Sequence, residues 1–319
     1  MVYQNYEKLK KIRNARPVQL LVYSFFLVLP LSCKSTGSVP SPEKFYAGRS
    51  GFALMAEGAG FYITAEVQSV RPILDSLKIG GMTGAELKQF LDMSNVLTAA
   101  VFEAAGGRRF YAAALGSFPT GSGLFFSASK DWEKRTSALG MPYWYSQRSQ
   151  LSVSLNAKVA YLSHDDPFVP PPGAAVPEAL PALQKGAVLS GWMNDPAPAI
   201  NRFAAGLGVP IEIPAERLVF AVYPAGPAGK GKQAGEEQYT AVLRFETPTS
   251  TQAAALVRIF TLAKIGLAMA DFSGREDMKV LAGAFFSGNP QAEGSALILT
   301  TGTMNGTDLA LLFNAISIY

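Results

Sequence analysis

The stretch VLTAAVFEAAGGRRFYAAALGSF, Val96 to Phe118, decides the fold. Two apolar runs, VLTAAVFEA and FYAAALGSF, flank Gly106-Gly107-Arg108. Each run is short and rich in alanine and aromatic residues, and the glycines between them favour a tight reversal, so the segment predicts a β-hairpin. A hairpin makes its strands antiparallel, without the long crossover that parallel strands need.

Working upstream, FYITAEV alternates: Phe61, Ile63, Ala65 and Val67 on one face, Tyr62, Thr64 and Glu66 on the other. GFALMAE, across Gly58-Ala59-Gly60, is expected to pair with it as a hairpin strand. Ser69 is placed to cap a helix carrying Val70, Ile73, Leu74 and Leu77, with Pro72 tolerated in its first turn. Thr83-Gly-Ala-Glu86 has capping-box spacing before Leu87, Phe90 and Leu91. Downstream, GLFFSASKDWEKR predicts a helix, and YWYSQRS and LSVSLNAKVAYLS predict strands. PEALPALQKG predicts a short helix.

The second half repeats this order. AVLSGWM predicts a strand, and Asp195 a cap for a helix with Ile200, Phe203, Ala204 and Leu207. RLVFAVYPAG and YTAVLRFE parallel the opening hairpin. TSTQAAALVRIFTLAK predicts a long helix, VLAGAFFSG and GSALILTTGT strands, and DLALLFNAISIY a closing helix. The expected class is α+β: mostly antiparallel sheet with amphipathic helices on its faces, and an internal duplication of a β-α-ββ-α-ββ-α unit. The expected repeats are 45–172 and 173–319, joined near the stiff proline-rich DDPFVPPPGAAVP.

The N-terminus reads differently. Lys8, Lys10, Lys11, Arg13 and Arg16 stand against Glu7, and LLVYSFFLVLPL, Leu20 to Leu31, follows. A basic segment before a short apolar run is a secretory signal, and the run falls short of the roughly 20 apolar residues of a membrane span. Cys33 is the only cysteine. A lone thiol in an exported chain has no disulfide partner. Pro30-Leu31-Ser32-Cys33 resembles a bacterial lipobox of the loose kind found in spirochaetal lipoproteins, with Pro30 where Leu or Val is usual. The resemblance implies that residues 1–32 are removed and that Cys33 carries covalent acyl chains. Residues 33–44 then form a Ser/Pro tether.

The whole chain has 28 Lys+Arg against 24 Asp+Glu. The excess lies in the leader, so the body is formally neutral. It has no concentrated basic face of the kind a nucleic-acid partner requires. Charge is sparse at 16%, and apolar residues reach 49%.

Chemistry has few footholds. His164, beside Asp165 and Asp166, is the only histidine, and metal sites need three or four ligands. The motif GPAGKGKQ, Gly226 to Gln233, has P-loop spacing, but Gln233 stands where Ser or Thr must reach magnesium. Glu57, Glu66, Glu236 and Glu237 form no convincing acid–base pair. No catalytic residue, metal or cofactor is expected.

Amphipathic helices remain. On the helix around Thr249–Met269, Arg258, Thr261 and Lys264 form the polar stripe, and Leu256, Val257, Ile259, Phe260, Leu262, Ala263, Ile265 and Leu267 cover the rest, with Leu256, Phe260, Ala263 and Leu267 expected to face lipid. Leu309, Leu312, Phe313 and Ile316 make a similar face near the C-terminus. Such faces suit a sheet, a membrane interface, an apolar ligand or an envelope protein. Together with the lipobox, the neutral body resembles the treponemal concealed outer-membrane lipoproteins. That resemblance implies a non-enzymatic protein on the periplasmic side of the outer membrane. Its helices around Ile73, Phe90, Phe260 and Phe313 would enter lipid and perturb the bilayer.

Overall fold

The computed structural model describes residues 41–317 except 50, 77–90 (Lys88 is described), 105–106, 120–129 (Gly121 and Phe126 are described), 149, 169–172, 207–212, 228–236, 269–281 (Lys279 is described) and 285. The leader, Cys33, Leu87 and Phe90 therefore lie outside the described residues. The described part is mostly antiparallel sheet with several helices, an α+β fold. It divides into two compact units, each discontinuous in sequence. Unit 1 takes residues up to Arg49, Lys78–Asn95 and Ala113–Pro170; unit 2 takes Ser50–Leu77, Val96–Ala112 and Pro171–Tyr319.

Unit 2 is built around strands β1 (Phe61–Glu66) and β8 (Leu189–Asn194). They pair antiparallel, with Tyr62 opposite Trp192. These two rings stack at 4.3 Å, and Phe52 meets Trp192 edge-on at 4.6 Å. The Tyr62 hydroxyl, deep in this cluster, donates to the Ala56 carbonyl at 2.8 Å and accepts from the Ala59 amide at 2.9 Å. Gly191 of β8 is required by close approach: a Cβ there would stand 2.0 Å from the Tyr62 carbonyl oxygen. The same gap lets Phe61 and Phe220 stack at 5.8 Å.

On either side of this central pair the strands follow in mirrored order. β1 is followed by β2 (Ser94–Ala104) and β3 (Gly107–Gly116), and β8 by β9 (Arg217–Pro227) and β10 (Glu237–Glu246). Corresponding strands match in length: 6 and 6 residues, 11 and 11, 10 and 10. Beyond β10 come β12 (Ala296–Thr300) and β11 (Gln291–Glu293), and the short β13 (Met304–Asn305) also pairs with β10.

In unit 1 the end of β3 leads to β7 (Val159–Ser163), β6 (Leu151–Leu155), β5 (Pro142–Ser146) and the edge strand β4 (Glu133–Thr136). One side of this sheet carries Trp144, Val153, Leu155 and Leu162, packed with Phe126 and Trp132. Glu133, Lys134 and Arg135 make β4 a charged edge, which resists further strand pairing.

Several expected elements are corrected. GFALMAE is no hairpin strand: Gly51–Leu54 form a 3-10 turn that buries Phe52 and Leu54. Glu133–Arg135 belong to β4 and not to a helix. LSVSLNAKVAYLS is two strands, because the Asn156 side chain accepts from the Lys158 and Val159 amides at 2.7 and 2.8 Å and folds the chain back. Within VLAGAFFSG, Ala282–Ala284 and Phe286 are helical. Asp195 is no cap: it adopts φ 48°, and the next helix begins at Ala197.

The helices whose bounds lie among the described residues are, in chain order, α1 (Pro42–Tyr46), α2 (Arg71–Ser76), α3 (Leu180–Gln184), α4 (Ala197–Gly206), α5 (Ser250–Ala268) and α6 (Gly306–Ser317). In unit 2, α6 packs on α2, α4 and β10. Its first residue, Gly306, lies so close to Pro72 that a Cβ would come within 2.8 Å of that backbone. Asn305 and Asp308 start α6 reciprocally: the Asp308 amide donates to Asn305 Oδ1 at 2.8 Å, and the Asn305 amide to Asp308 Oδ2 at 3.3 Å.

Candidate membrane-contact surface

Among the described residues of unit 2, helix α5 carries the two most exposed large apolar side chains, Leu262 and Ile265. Thr249 starts it, its hydroxyl accepting from the Gln252 amide at 3.2 Å. The helix runs nineteen residues, and none before Gly266 is glycine or proline. Its inner face holds Ala253, Leu256, Phe260 and Ala263, all buried. Phe260 packs against Phe245 of β10 at 5.4 Å and against Phe286 at 5.8 Å.

The outer face is unusual. At 100° per residue, the exposed positions Thr251, Ala254, Ala255, Arg258, Thr261, Leu262, Ile265 and Gly266 fill one continuous arc. Leu262 is 67% exposed and Ile265 is 54% exposed. A surface helix normally turns charged side chains to water. This arc holds one charge, Arg258, beside two threonines. The Thr261 hydroxyl turns back to the Val257 carbonyl at 2.7 Å and so offers little to solvent.

The expected polar stripe is therefore divided. Arg258 lies on the outward arc, but Lys264 leaves it. Lys264 Nζ reaches the Ser287 and Gly288 carbonyls at 3.2 and 3.4 Å and Asn289 Oδ1 at 3.4 Å. It clasps α5 to the turn after residue 286 and is not presented to a surface. Nearby cations of the sheet are also engaged: Arg217 pairs with Glu246 at 3.2 Å, and Arg244 with Glu293 at 3.4 Å.

Every residue expected to face lipid whose side chain is described lies inside. Ile73 and Leu74 of α2, Leu256, Phe260 and Ala263 of α5, and Leu309 of α6 are buried in unit 2. Leu91, in unit 1, is buried too. Side chains of Leu77, Leu87, Phe90, Leu267, Leu312, Phe313 and Ile316 lie outside the described residues. Leu262 and Ile265 were placed on the apolar part of α5 but not in the expected lipid-facing set, because the helix is apolar almost all round. Its sequence shows that it has a buried face but not which one.

The other candidates gather no site. No group of three His, Cys, Asp or Glu side chains among the described residues could hold a metal. Gly226 and Pro227 close β9, and residues 228–233 of the P-loop-like segment fall outside the described residues. No helix among the described residues is long and apolar enough to cross a membrane.

No protein-family model matches the sequence, and no curated protein sequence matches it. Solved structures are similar in fold. Crystal form I of TP0453 aligns with a TM-score of 0.55 and 15% identity, over 85% of this chain and 98% of that one. Crystal form III aligns with a TM-score of 0.53 and 15% identity, over 83% and 98%. Crystal form IV aligns with a TM-score of 0.55 and 17% identity, over 85% and 99%. At these identities the likeness is one of fold: the chain has an architecture similar to that of TP0453 along nearly the whole of that protein.

Proposed function

We propose that this chain is a non-enzymatic lipoprotein of the cell envelope, acylated at Cys33 and held at the periplasmic side of the outer membrane. Its body contacts the inner leaflet through helices and perturbs or permeabilises it. The observation that carries this reading is the outward arc of α5, where Leu262 and Ile265 stand in solvent on a helix whose other face is already satisfied. Burying both side chains is worth about 3–6 kcal/mol at most. That is too little for firm attachment alone, but it suffices as a second signal beside acyl chains.

Two depths of contact follow. The outward arc meets headgroups and upper acyl chains with the fold unchanged. Deeper embedding of Leu256 and Phe260 requires α5 to leave the sheet. Lipid tails then replace core contacts of similar apolarity, but Phe245 and its neighbours lose their cover. Lipid therefore selects an opened state only if it also shields that sheet face.

The mirrored order of β10-β9-β8 and β1-β2-β3, with equal strand lengths, supports an internal duplication with repeats at 45–172 and 173–319.

The test is flotation of the body from Lys34 to Tyr319, without its acyl anchor, on anionic liposomes. Binding that survives high salt supports apolar contact, because screening weakens only the electrostatic part. A body that never floats, at any salt, removes the membrane reading in favour of a lipid- or ligand-binding module or an envelope scaffold.

A further inference from the structure

Asn305-Gly306 is the only Asn-Gly pair in the sequence. In such a pair the Gly amide nitrogen can attack the side-chain carbon of Asn, because no Cβ shields that nitrogen and the Gly backbone turns freely. The new C–N bond closes a five-membered succinimide, and ammonia leaves. Water then opens the ring at either carbonyl, giving aspartate or isoaspartate. In isoaspartate the main chain runs through the side-chain carbon and is one atom longer.

The packing of unit 2 explains why so labile a pair stands here. Gly306 opens α6, where a Cβ would meet the Pro72 carbonyl carbon at 2.8 Å and the Ile73 amide nitrogen at 3.0 Å. Both are backbone atoms that cannot swing aside, so only glycine fits. Asn305 is fixed as well. It is 8% exposed and lies opposite Gln238 in the pairing of β13 with β10. Its Oδ1 accepts from the Asp308 amide at 2.8 Å, and its own amide donates to Asp308 Oδ2 at 3.3 Å. The strand pairing, the reciprocal cap and the seat of Gly306 on Pro72 all resist the rotation that would bring the carboxamide carbon onto the Gly306 nitrogen. All three are lost when α6 and β13 lift from α2 and β10.

We propose that Asn305 is a modification site that the seating of α6 keeps closed: release of α6 lets Gly306 close the succinimide, and isoaspartate then prevents α6 from seating again. The second half follows from the same contact. A site without room for a Cβ has none for an extra backbone atom, so Asn305 cannot keep its register against Gln238 while Gly306 stays on Pro72. The aspartate product is milder, since its carboxylate can still accept from the Asp308 amide. A local opening that is otherwise reversible thus becomes permanent, at a rate set by how often α6 opens.

The experiment incubates the purified protein at mildly alkaline pH, folded or in concentrated urea. Mass spectrometry of the peptide spanning Asn305 follows the exchange of ammonia for water, and isoaspartyl methyltransferase labels the isoaspartate. Conversion in urea should be at least about tenfold faster than in the folded protein. Gly306→Ala in urea should convert at least about tenfold more slowly than the native sequence in urea, because its Cβ hinders the attack. Leu309 is 0% exposed, and Leu309→Ala leaves a cavity beneath α6. That variant should keep its circular dichroism and convert at least about threefold faster than the folded native protein. If it unfolds instead, the comparison of folded and urea samples still decides. After removal of urea, the isoaspartate chain should exchange the Leu309 and Ala310 amide hydrogens at least about tenfold faster than the unconverted chain, whereas Asn305→Asp should exchange them at the native rate. Equal conversion folded and in urea would overturn the closed site, and native exchange in the refolded isoaspartate chain would overturn the block on reseating.

Discussion

Leu256 and Leu262, six residues apart on α5, stand at opposite extremes of exposure: 0% and 67%. One helix thus offers the same side chain to the core and to the surroundings, and a single charge at each position separates the two roles. Leu256→Asp places an unpaired carboxylate against the sheet and should cost more than 4 kcal/mol, enough to unfold unit 2 in thermal melts. Leu262→Asp should leave the melting temperature within a few degrees of native and abolish liposome flotation. A folded Leu256→Asp protein would mean that α5 does not pack as described.

The two cations of α5 should also behave differently. Lys264→Met removes three hydrogen bonds to the turn after residue 286. It should lower stability by about 1–3 kcal/mol and leave the salt dependence of liposome binding unchanged. Arg258→Gln should do the reverse, with little effect on stability and a weaker response of binding to salt. Denaturant titration beside flotation at low and high salt distinguishes them.

Cys33→Ser should abolish labelling by radioactive fatty acid and leave a precursor of higher mass, since processing of this type follows acylation. A serine variant that is still labelled and cut would place the anchor elsewhere.

Tyr239 gives a pH signature. It lies in the core of unit 2, and its hydroxyl donates to the Ser69 carbonyl at 3.0 Å. Burial, reinforced by Glu237, pushes its pKa from 10.0 up to about 12. The folded state therefore keeps a proton that the unfolded chain releases near pH 10. Its contribution to stability is complete below pH 10 and lost as pH rises from 10 towards 12. Thermal melts from pH 8 to pH 12 should fall across that window. Tyr239→Phe should make the fall shallower, Tyr46, Tyr62, Tyr143 and Tyr223, also raised by burial, supplying more of it in the same direction, and should cost about 1 kcal/mol at pH 8, where the Ser69 carbonyl loses its donor.

Antiparallel architecture was legible where local rules are strong. The alternation of Phe61–Glu66 and the glycines after Ala104 mark strands and a reversal before any tertiary contact is known, and α5 and α6 were visible from length and apolar content. Three readings failed for local reasons. In Glu133–Arg135 the charged side chains favour helix, but pairing with Tyr143 and Tyr145 makes them an edge strand. At Asn156 an unbroken alternation concealed a turn held by one side chain. Around Ala282 the small apolar residues fit either state. The candidate surface was legible only in part. Periodicity identifies a buried face when polar residues mark the other, and on α5 they do not, so Leu262 and Ile265 emerge only from packing on Phe245 and Phe286.

The pairing of β1 with β8 has a consequence for how the chain acquires its structure. These central strands are separated in sequence by everything from α2 to α3. Closing so long a loop costs entropy before any contact repays it. The β9–β10 hairpin can form from its own neighbourhood, but β1 has no β8 to join until the chain as far as Asn194 is free to fold. During that interval the β1 edge offers unpaired backbone to other chains. The interval before β8 is available is then the stage at which this protein is most exposed to aggregation, and the stage at which a holding chaperone would have most to protect.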